Sequence, residues 1–98
     1  MPQITQLEDK AVLRLDQDLV AASVPEVKQQ LKDLVNQGKP VAVDLEGVSM
    51  VDSTGIGLLM ATHNSLQKDG HALEVLNASD DIVKLFQTMR LDKRFAMS

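Results

Sequence analysis

A carboxylate, two hydroxyls and two glycines lie together in the heptapeptide VDSTGIG, residues 51–57. A carboxylate beside alcohols could activate a nucleophile, or it could cap a helix by accepting a backbone N–H. A cap supplied by Asp52 or Ser53 would stabilise the helix by about 1 kcal/mol. Gly55 and Gly57 need another explanation, because each costs a helix roughly 0.8–1 kcal/mol relative to alanine.

Two explanations of Gly55 and Gly57 are open from the sequence. The missing side chains could permit tight packing of a helix against the sheet, or a turn with positive φ. Alternatively, they could let the backbone of a partner protein approach the Ser53 hydroxyl closely. The first explanation is structural and the second is functional.

The same residues do not form a known catalytic motif. A nucleophile elbow requires G-x-S-x-G, and Val51 occupies the position of its first glycine. The dyad of aspartic proteases requires Asp followed by Ser or Thr and then Gly, whereas Thr54 is inserted between Ser53 and Gly55. We therefore expect a protein that is not an enzyme.

The two histidines do not suggest a metal site or a cofactor site. His63 shares a helical stripe with Leu59 and Leu66 and is predicted to be a half-buried packing residue, while His71 follows a turn glycine and is predicted to be exposed. Their spacing is not that of metal ligands, and the phosphate-binding pattern G-x-x-x-x-G-K-[ST] is absent from the sequence. We expect no metal and no cofactor.

Composition indicates one domain, residues 1–98, with an aliphatic core. Hydrophobic residues make up 44% of the chain and aromatic residues only 2%. The absence of cysteine, the lack of a long apolar run and the net charge of −4 favour a cytoplasmic protein that neither enters a membrane nor binds nucleic acid. The expected partner is another protein.

Hydrophobic periodicity predicts an α/β fold that positions the heptapeptide. Ser23 and Glu26 form a capping-box pattern at the start of a first helix that ends at Gly38, and Ser79 is predicted to cap a third helix. A second helix is predicted at residues 53–68. Strands are predicted at residues 4–7, 11–15, 41–45 and 72–76, the first two as a hairpin, with a last short strand in RFAMS.

The order β-β-α-β-α-β-α-(β) predicts a mixed, mostly parallel sheet of four to five strands with helices packed on it. Strand 41–45 is expected to be central and buried on both faces. In such sheets functional groups gather beyond the carboxyl ends of the strands. Residues 51–57 lie in that position, after strand 41–45.

Residues 43–95 resemble the STAS domain of bacterial anti-sigma factor antagonists. The resemblance is carried by VDLEGVSMVDSTGIG, by Gly70 and by the segment VKLFQTMRL, and it extends more weakly back through AVLRLDQDLVAASVPEVKQQL. In that family the serine after the motif Asp is phosphorylated by an anti-sigma factor that is a serine kinase of the histidine-kinase-like ATPase fold. The resemblance implies that this serine is Ser53, with Thr54 as the alternative site.

The resemblance also implies partner switching in transcription regulation. The unphosphorylated antagonist binds the kinase and releases the sigma factor, phosphorylation ends the binding, and a metal-dependent serine/threonine phosphatase restores it. Asp52, Ser53, Thr54, Gly55, Ile56 and Gly57 are the residues expected to contact the partner.

Two alternatives remain at the level of sequence. STAS subunits of phospholipid transport complexes are also similar to this domain, and they dock constitutively on an ATPase through the same helix end. A domain that senses a small molecule is a third possibility, although short loops and few aromatic residues argue against a roomy pocket. Family members usually continue into another amphipathic helix, whereas this sequence ends at Ser98. Either part of the sheet is less covered, or the chain belongs to a shorter subfamily with a different partner.

Overall fold

The strands and helices follow the predicted order. A computed structural model describes residues 2–98. Each predicted element is present, and most of the bounds agree within two residues. The elements are β1 Gln3–Gln6, β2 Ala11–Arg14, α1 Val24–Val35, β3 Val41–Asp44, α2 Ser53–Gln67, β4 Glu74–Leu76, α3 Asp80–Thr88 and β5 Ala96–Met97.

The sheet has five strands in the spatial order β1-β2-β3-β4-β5. The β1–β2 hairpin is antiparallel and its turn is closed by a 2.8 Å bond from Leu7 N to the Lys10 carbonyl, whereas every later pair is parallel. Each parallel connection moves to the next strand in the same direction, so right-handed crossovers place all three helices on one face. The mixed, mostly parallel sheet predicted from the sequence is confirmed.

The core lies between the helices and one face of the sheet, and it is aliphatic as the composition predicts. Paired positions of β2, β3 and β4, together with Leu73 just before β4, supply a layer of side chains with almost no exposure: Ala11, Leu13, Val41, Val43, Leu73 and Val75. On the opposite face, Val12, Asp44 and Glu74 are only half-buried, yet Ala42 has no exposed surface. The prediction that the third strand is buried on both faces therefore holds for its central residues.

Helix α1 begins without the predicted capping box. Ser23 occupies the N-cap position, but its side chain forms no bond to the helix. The hydroxyl instead donates to the Asp18 carbonyl at 2.7 Å and accepts from the Val20 N–H at 3.1 Å. These bonds hold the preceding turn, so the serine had a competing local use that the spacing to Glu26 could not reveal.

The other predicted helix ends agree more closely. Ser79 caps α3 by accepting from the Ile82 N–H at 3.3 Å. Gly38 has φ of +78° in the turn after α1, as a helix-terminating glycine requires. Met89, the residue that follows α3, is 45% exposed.

Candidate functional site

The candidate site is built from two loops that leave neighbouring parallel strands. The loop after β2 and the loop after β3 meet in a parallel bridge between Leu19 and Val51. Leu19 N donates to the Met50 carbonyl at 3.0 Å, and Asp52 N donates to the Leu19 carbonyl at 3.2 Å. The backbone just before Ser53 is therefore held in place by the neighbouring loop.

A second connection between the loops comes from Asp18, which the sequence interpretation did not single out. Its Oδ1 accepts the backbone N–H groups of Ser49 at 2.8 Å and Met50 at 3.1 Å. The available signal was positional, because Asp18 follows β2 at the same edge of the sheet at which residues 51–57 follow β3. A polar residue at that edge can pair with the next loop.

Asp52 is the residue that caps α2. Oδ1 accepts the Gly55 N–H at 2.9 Å and the Thr54 hydroxyl at 2.5 Å, while Oδ2 accepts the Ala21 N–H at 3.0 Å. The Asp52 carboxylate thus accepts a backbone N–H from the first turn of α2 and also connects α2 to the loop after β2. The hydrogen bond from Thr54 is the main reason that the pKa of Asp52 lies below its usual value, and the bond from Gly55 contributes next.

The two hydroxyls that follow Asp52 have different surroundings. Thr54 is exposed, but its hydroxyl is engaged by Asp52. Ser53 is also exposed, and across residues 2–98 its hydroxyl has no hydrogen-bond partner. Since Asp52 provides the cap, the Ser53 hydroxyl is not needed to cap α2.

The two glycines of α2 also have different surroundings. A Cβ on Gly55 would lie 2.9 Å from Leu19 Cγ and 3.0 Å from Val51 Cγ1, and still closer to the Leu19 carbonyl oxygen. A Cβ on Gly57 would meet nothing within 4 Å. Close packing therefore explains Gly55, whereas nothing within the described chain explains Gly57.

The surface of the site consists of Ser53, Thr54 and Gly57, with Met50 nearby and 57% exposed. Gly55 and Ile56 are buried, so these two of the six residues expected at a partner interface can act only by positioning the others. The exposure of Met50, three residues before Ser53, is a feature that the sequence interpretation missed. No signal in the sequence distinguished Met50 from a core residue.

His63 packs inside the domain. It is 2% exposed, its Nδ1 accepts the Leu73 N–H at 3.1 Å, and its ring contacts that of Phe95 at a centroid distance of 5.5 Å. Burial lowers the pKa of His63, and the positive charge of Arg94 lowers it further. The predicted packing role is confirmed, with deeper burial than expected, whereas His71 is half-buried and not fully exposed.

Within residues 2–98, no group of three or more His, Asp or Glu side chains is arranged to hold a metal ion. None of the helices in the same range has the length and apolar character needed to cross a bilayer.

The protein is an α/β domain with exposed hydroxyl side chains at the start of α2, beyond the carboxyl end of β3. The family model described as "STAS domain" matches residues 1–98. The chain belongs to the STAS domain family, which confirms the resemblance found in residues 43–95.

Among its relatives, an anti-sigma-B factor antagonist from Staphylococcus aureus is 34% identical over 85 residues, a match that covers 85% of this chain and 79% of the relative. An anti-sigma-factor antagonist (STAS) domain protein from Planctomyces limnophilus superposes with a TM-score of 0.88 at 20% identity, over 98% of this chain and 87% of that one. The Bacillus protein SpoIIAA superposes with a TM-score of 0.79 in its unphosphorylated form and 0.77 in its phosphorylated form, at 23% identity. These two matches cover all of this chain and 87% and 91% of the respective SpoIIAA chains.

Proposed function

We propose that this domain is a partner-switching anti-sigma factor antagonist whose switch is phosphorylation of Ser53. The single observation that carries the proposal is the Ser53 hydroxyl, which is exposed at the start of α2 and has no hydrogen-bond partner in the described range 2–98. The 34% identical relative is itself an anti-sigma-B factor antagonist, and the fold neighbour SpoIIAA has a phosphorylated form. Both support a regulatory domain that is not an enzyme.

Within the domain, a phosphoryl group on the exposed Ser53 should leave the fold intact. It would bring about −1.5 to −2 charges to an exposed helix N-terminus, where free N–H groups and the helix dipole favour an anion. The loop bonds of Asp18 and Asp52 do not involve the Ser53 hydroxyl. The fold should therefore tolerate the modification, although the nearby Asp52 carboxylate offsets part of the favourable field.

At an interface with a partner, the same phosphoryl group makes the free energy of binding less favourable. In the unphosphorylated protein a partner can approach Ser53 closely, because Gly57 leaves open space one helical turn further along α2. After phosphorylation, a doubly charged group beside Asp52 would have to lose its water in that contact, at a cost of several kcal/mol. Each 1.4 kcal/mol weakens the complex tenfold, so the partner is released.

Thr54 is the rival site, and its surroundings favour Ser53. Transfer of the γ-phosphoryl group of ATP to Thr54 Oγ1 would remove the proton that this oxygen donates to Asp52. Two anionic groups would then compete at the helix cap, which also connects to Ala21. Modification of Thr54 should therefore disturb the loop, whereas modification of Ser53 leaves its bonds in place.

The proposed partner is a serine kinase of the histidine-kinase-like ATPase fold that also binds a sigma factor, with a metal-dependent serine/threonine phosphatase that resets Ser53. This assignment places the domain in the cytoplasm, where sigma factors act. The transport-subunit alternative is not favoured, because the relatives reported above carry the name of antagonists.

Site mapping tests the proposal directly. The purified chain is incubated with an anti-sigma factor kinase from its source organism and ATP with magnesium, and the phosphorylated residue is identified by tandem mass spectrometry. The expected result is one phosphate on Ser53, retained in Thr54→Val and lost in Ser53→Ala. Phosphate found only on Thr54, or a kinase that binds the chain but transfers no phosphate to it, would overturn the assignment.

A further inference from the structure

An open groove lies away from Ser53, between α1 and α2. It is a groove of about 670 Å³ whose lining on α2 runs from Leu58 to the end of the helix. Leu31 and Val35 from α1 and Leu58 from α2 supply its apolar floor. None of the residues 51–57 lines the groove.

The rim of the groove is positively charged, although the chain as a whole carries a net charge of −4. Lys28 and Lys32 lie one turn apart on α1, and Lys68 lies at the end of α2. All three side chains are exposed, and none has an ion-pair partner among residues 2–98. Asp69 is the single acidic residue in the lining.

Small side chains on the α2 side would let another backbone approach closely. Ala61 and Ser65 are exposed one turn apart along α2, and both line the groove. Lysine stems can cover apolar surface while their ammonium groups stay in water. An occupant therefore fits best if it has a narrow apolar ridge flanked by carboxylates.

We propose that the α1/α2 groove binds an acidic amphipathic helix of a partner protein. The apolar ridge of such a helix would lie over Leu31, Val35 and Leu58. Its acidic side chains would pair with the ammonium groups of Lys28, Lys32 and Lys68. The lining on α2 spans residues 58–65, about 10 Å at 1.5 Å per residue, and residues 68 and 69 extend it past the helix end, so two to three turns of a docked helix would match. This inference does not depend on phosphorylation of Ser53.

Charge complementarity selects this occupant over others. A basic helix would place its charges against three unpaired ammonium groups, and like charges in contact disfavour a complex. A membrane surface is broad and flat, whereas the cationic groups here border a groove between two helices. Binding of the chain to anionic vesicles in place of the peptide below would be a result against the proposal.

The test uses two synthetic peptides that are cross-linked to stabilise the helix, because short helices are marginal in water. One peptide has leucines at helical spacing flanked by glutamates, and the other has lysine in place of every glutamate. Binding to the isotopically labelled chain is followed by amide chemical shifts and by a fitted Kd. Vesicles that contain phosphatidylglycerol are tested in parallel.

The acidic peptide is expected to give saturable shifts at Val35, Ala61 and Ser65, with a Kd that rises with salt. The double variant Lys28→Glu/Lys32→Glu should weaken binding by about tenfold, since two ion pairs become repulsive contacts. The matched control Lys84→Glu/Lys93→Glu, which has the same change of charge outside the groove, should leave the Kd nearly unchanged.

Several results would overturn the proposal. One is the absence of saturable groove shifts at peptide concentrations up to about 1 mM. Another is equal binding of the acidic and basic peptides, or equal weakening by the groove and control variants. Lys28→Gln/Lys32→Gln serves as a second, milder variant if charge reversal lowers the melting temperature. Ser53→Ala should bind the acidic peptide as the natural chain does, so failure of the phosphorylation proposal would be a separate result.

Discussion

Gly55 and Gly57 give a pair of alanine substitutions whose effects on stability should be opposite. Both residues lie inside α2, where glycine costs about 0.8–1 kcal/mol relative to alanine. At Gly57 the new methyl group meets nothing within 4 Å, so the gain in helix propensity should appear almost undiminished. We expect Gly57→Ala to raise the free energy of unfolding by roughly 0.8–1 kcal/mol.

At Gly55 the gain in helix propensity is outweighed by steric overlap of the new methyl group with Leu19. The added Cβ would lie 2.9 Å from Leu19 Cγ, and nearer to the Leu19 carbonyl oxygen, which already accepts the Asp52 N–H. Because that oxygen is backbone in the bridge between the two loops, it cannot rotate away as a flexible side chain could. Overpacking of this kind costs about 1–3 kcal/mol, so we expect Gly55→Ala to be destabilising overall.

Thermal unfolding at neutral pH is the assay. For a domain of this size, 1 kcal/mol shifts the melting temperature by about 4–8 °C, so the two variants should differ by several degrees in opposite directions. Gly57→Ala should also bind the kinase less tightly than the natural chain, because its methyl group occupies space left open beside Ser53. A more stable variant with weaker binding would mean that Gly57 is present for the interface.

Two results would refute this reasoning. A melting temperature of Gly55→Ala at or above that of the natural chain would mean that the packing against Leu19 is looser than the structure indicates. A Gly57→Ala variant that is stabilised and binds the kinase with unchanged affinity would mean that no partner backbone approaches this position.

Three further predictions concern the cap, the buried histidine and the two hydroxyls. Asp52→Ala should lower the free energy of unfolding measured in urea by about 1–2 kcal/mol, because the cap of α2 is lost, and a loss below about 0.3 kcal/mol would contradict this role. Since burial holds the pKa of His63 below its usual value of about 6.5, the unfolded chain takes up the proton first as pH falls, so the free energy of unfolding should decrease below about pH 6.5. Constant stability between about pH 7.5 and pH 5.5 would contradict this prediction. Thr54→Val should lower the melting temperature because its bond to Asp52 is lost, whereas Ser53→Ala should leave it nearly unchanged, and equal effects would contradict the difference between the hydroxyls.

The order of the elements could be predicted because the signals were local and agreed with one another. The β-branched run that forms β3, the caps and the glycine turns each follow from a few neighbouring residues. Boundaries were less certain at strand ends, as at β4, which begins at Glu74 two residues later than predicted. Pairing with β5 through the Glu74↔Ala96 register, a long-range contact, helps to set that end.

The details of the site could not be predicted because they depend on contacts between distant segments. The sequence left open whether Asp52 or Ser53 caps α2, and the choice depends partly on the bond from Ala21, which lies 31 residues away. Glycine is needed for packing at position 55 but not at position 57, and this difference depends on where Leu19 lies in the folded chain. The prediction of a capping box at Ser23 was wrong for a different, local reason, since its hydroxyl bonds the Asp18 carbonyl and the Val20 N–H in the preceding turn.

The central claim is that the fold tolerates a phosphate on Ser53 and a bound partner does not. The most direct measurement compares the unmodified chain with the chain carrying phosphoserine at position 53, in kinase affinity and in melting temperature. We predict that the melting temperature changes by less than about 5 °C while the Kd rises at least about 100-fold. A phosphorylated chain that binds the kinase as tightly as the unmodified chain, or one that loses binding only because it unfolds, would contradict the claim.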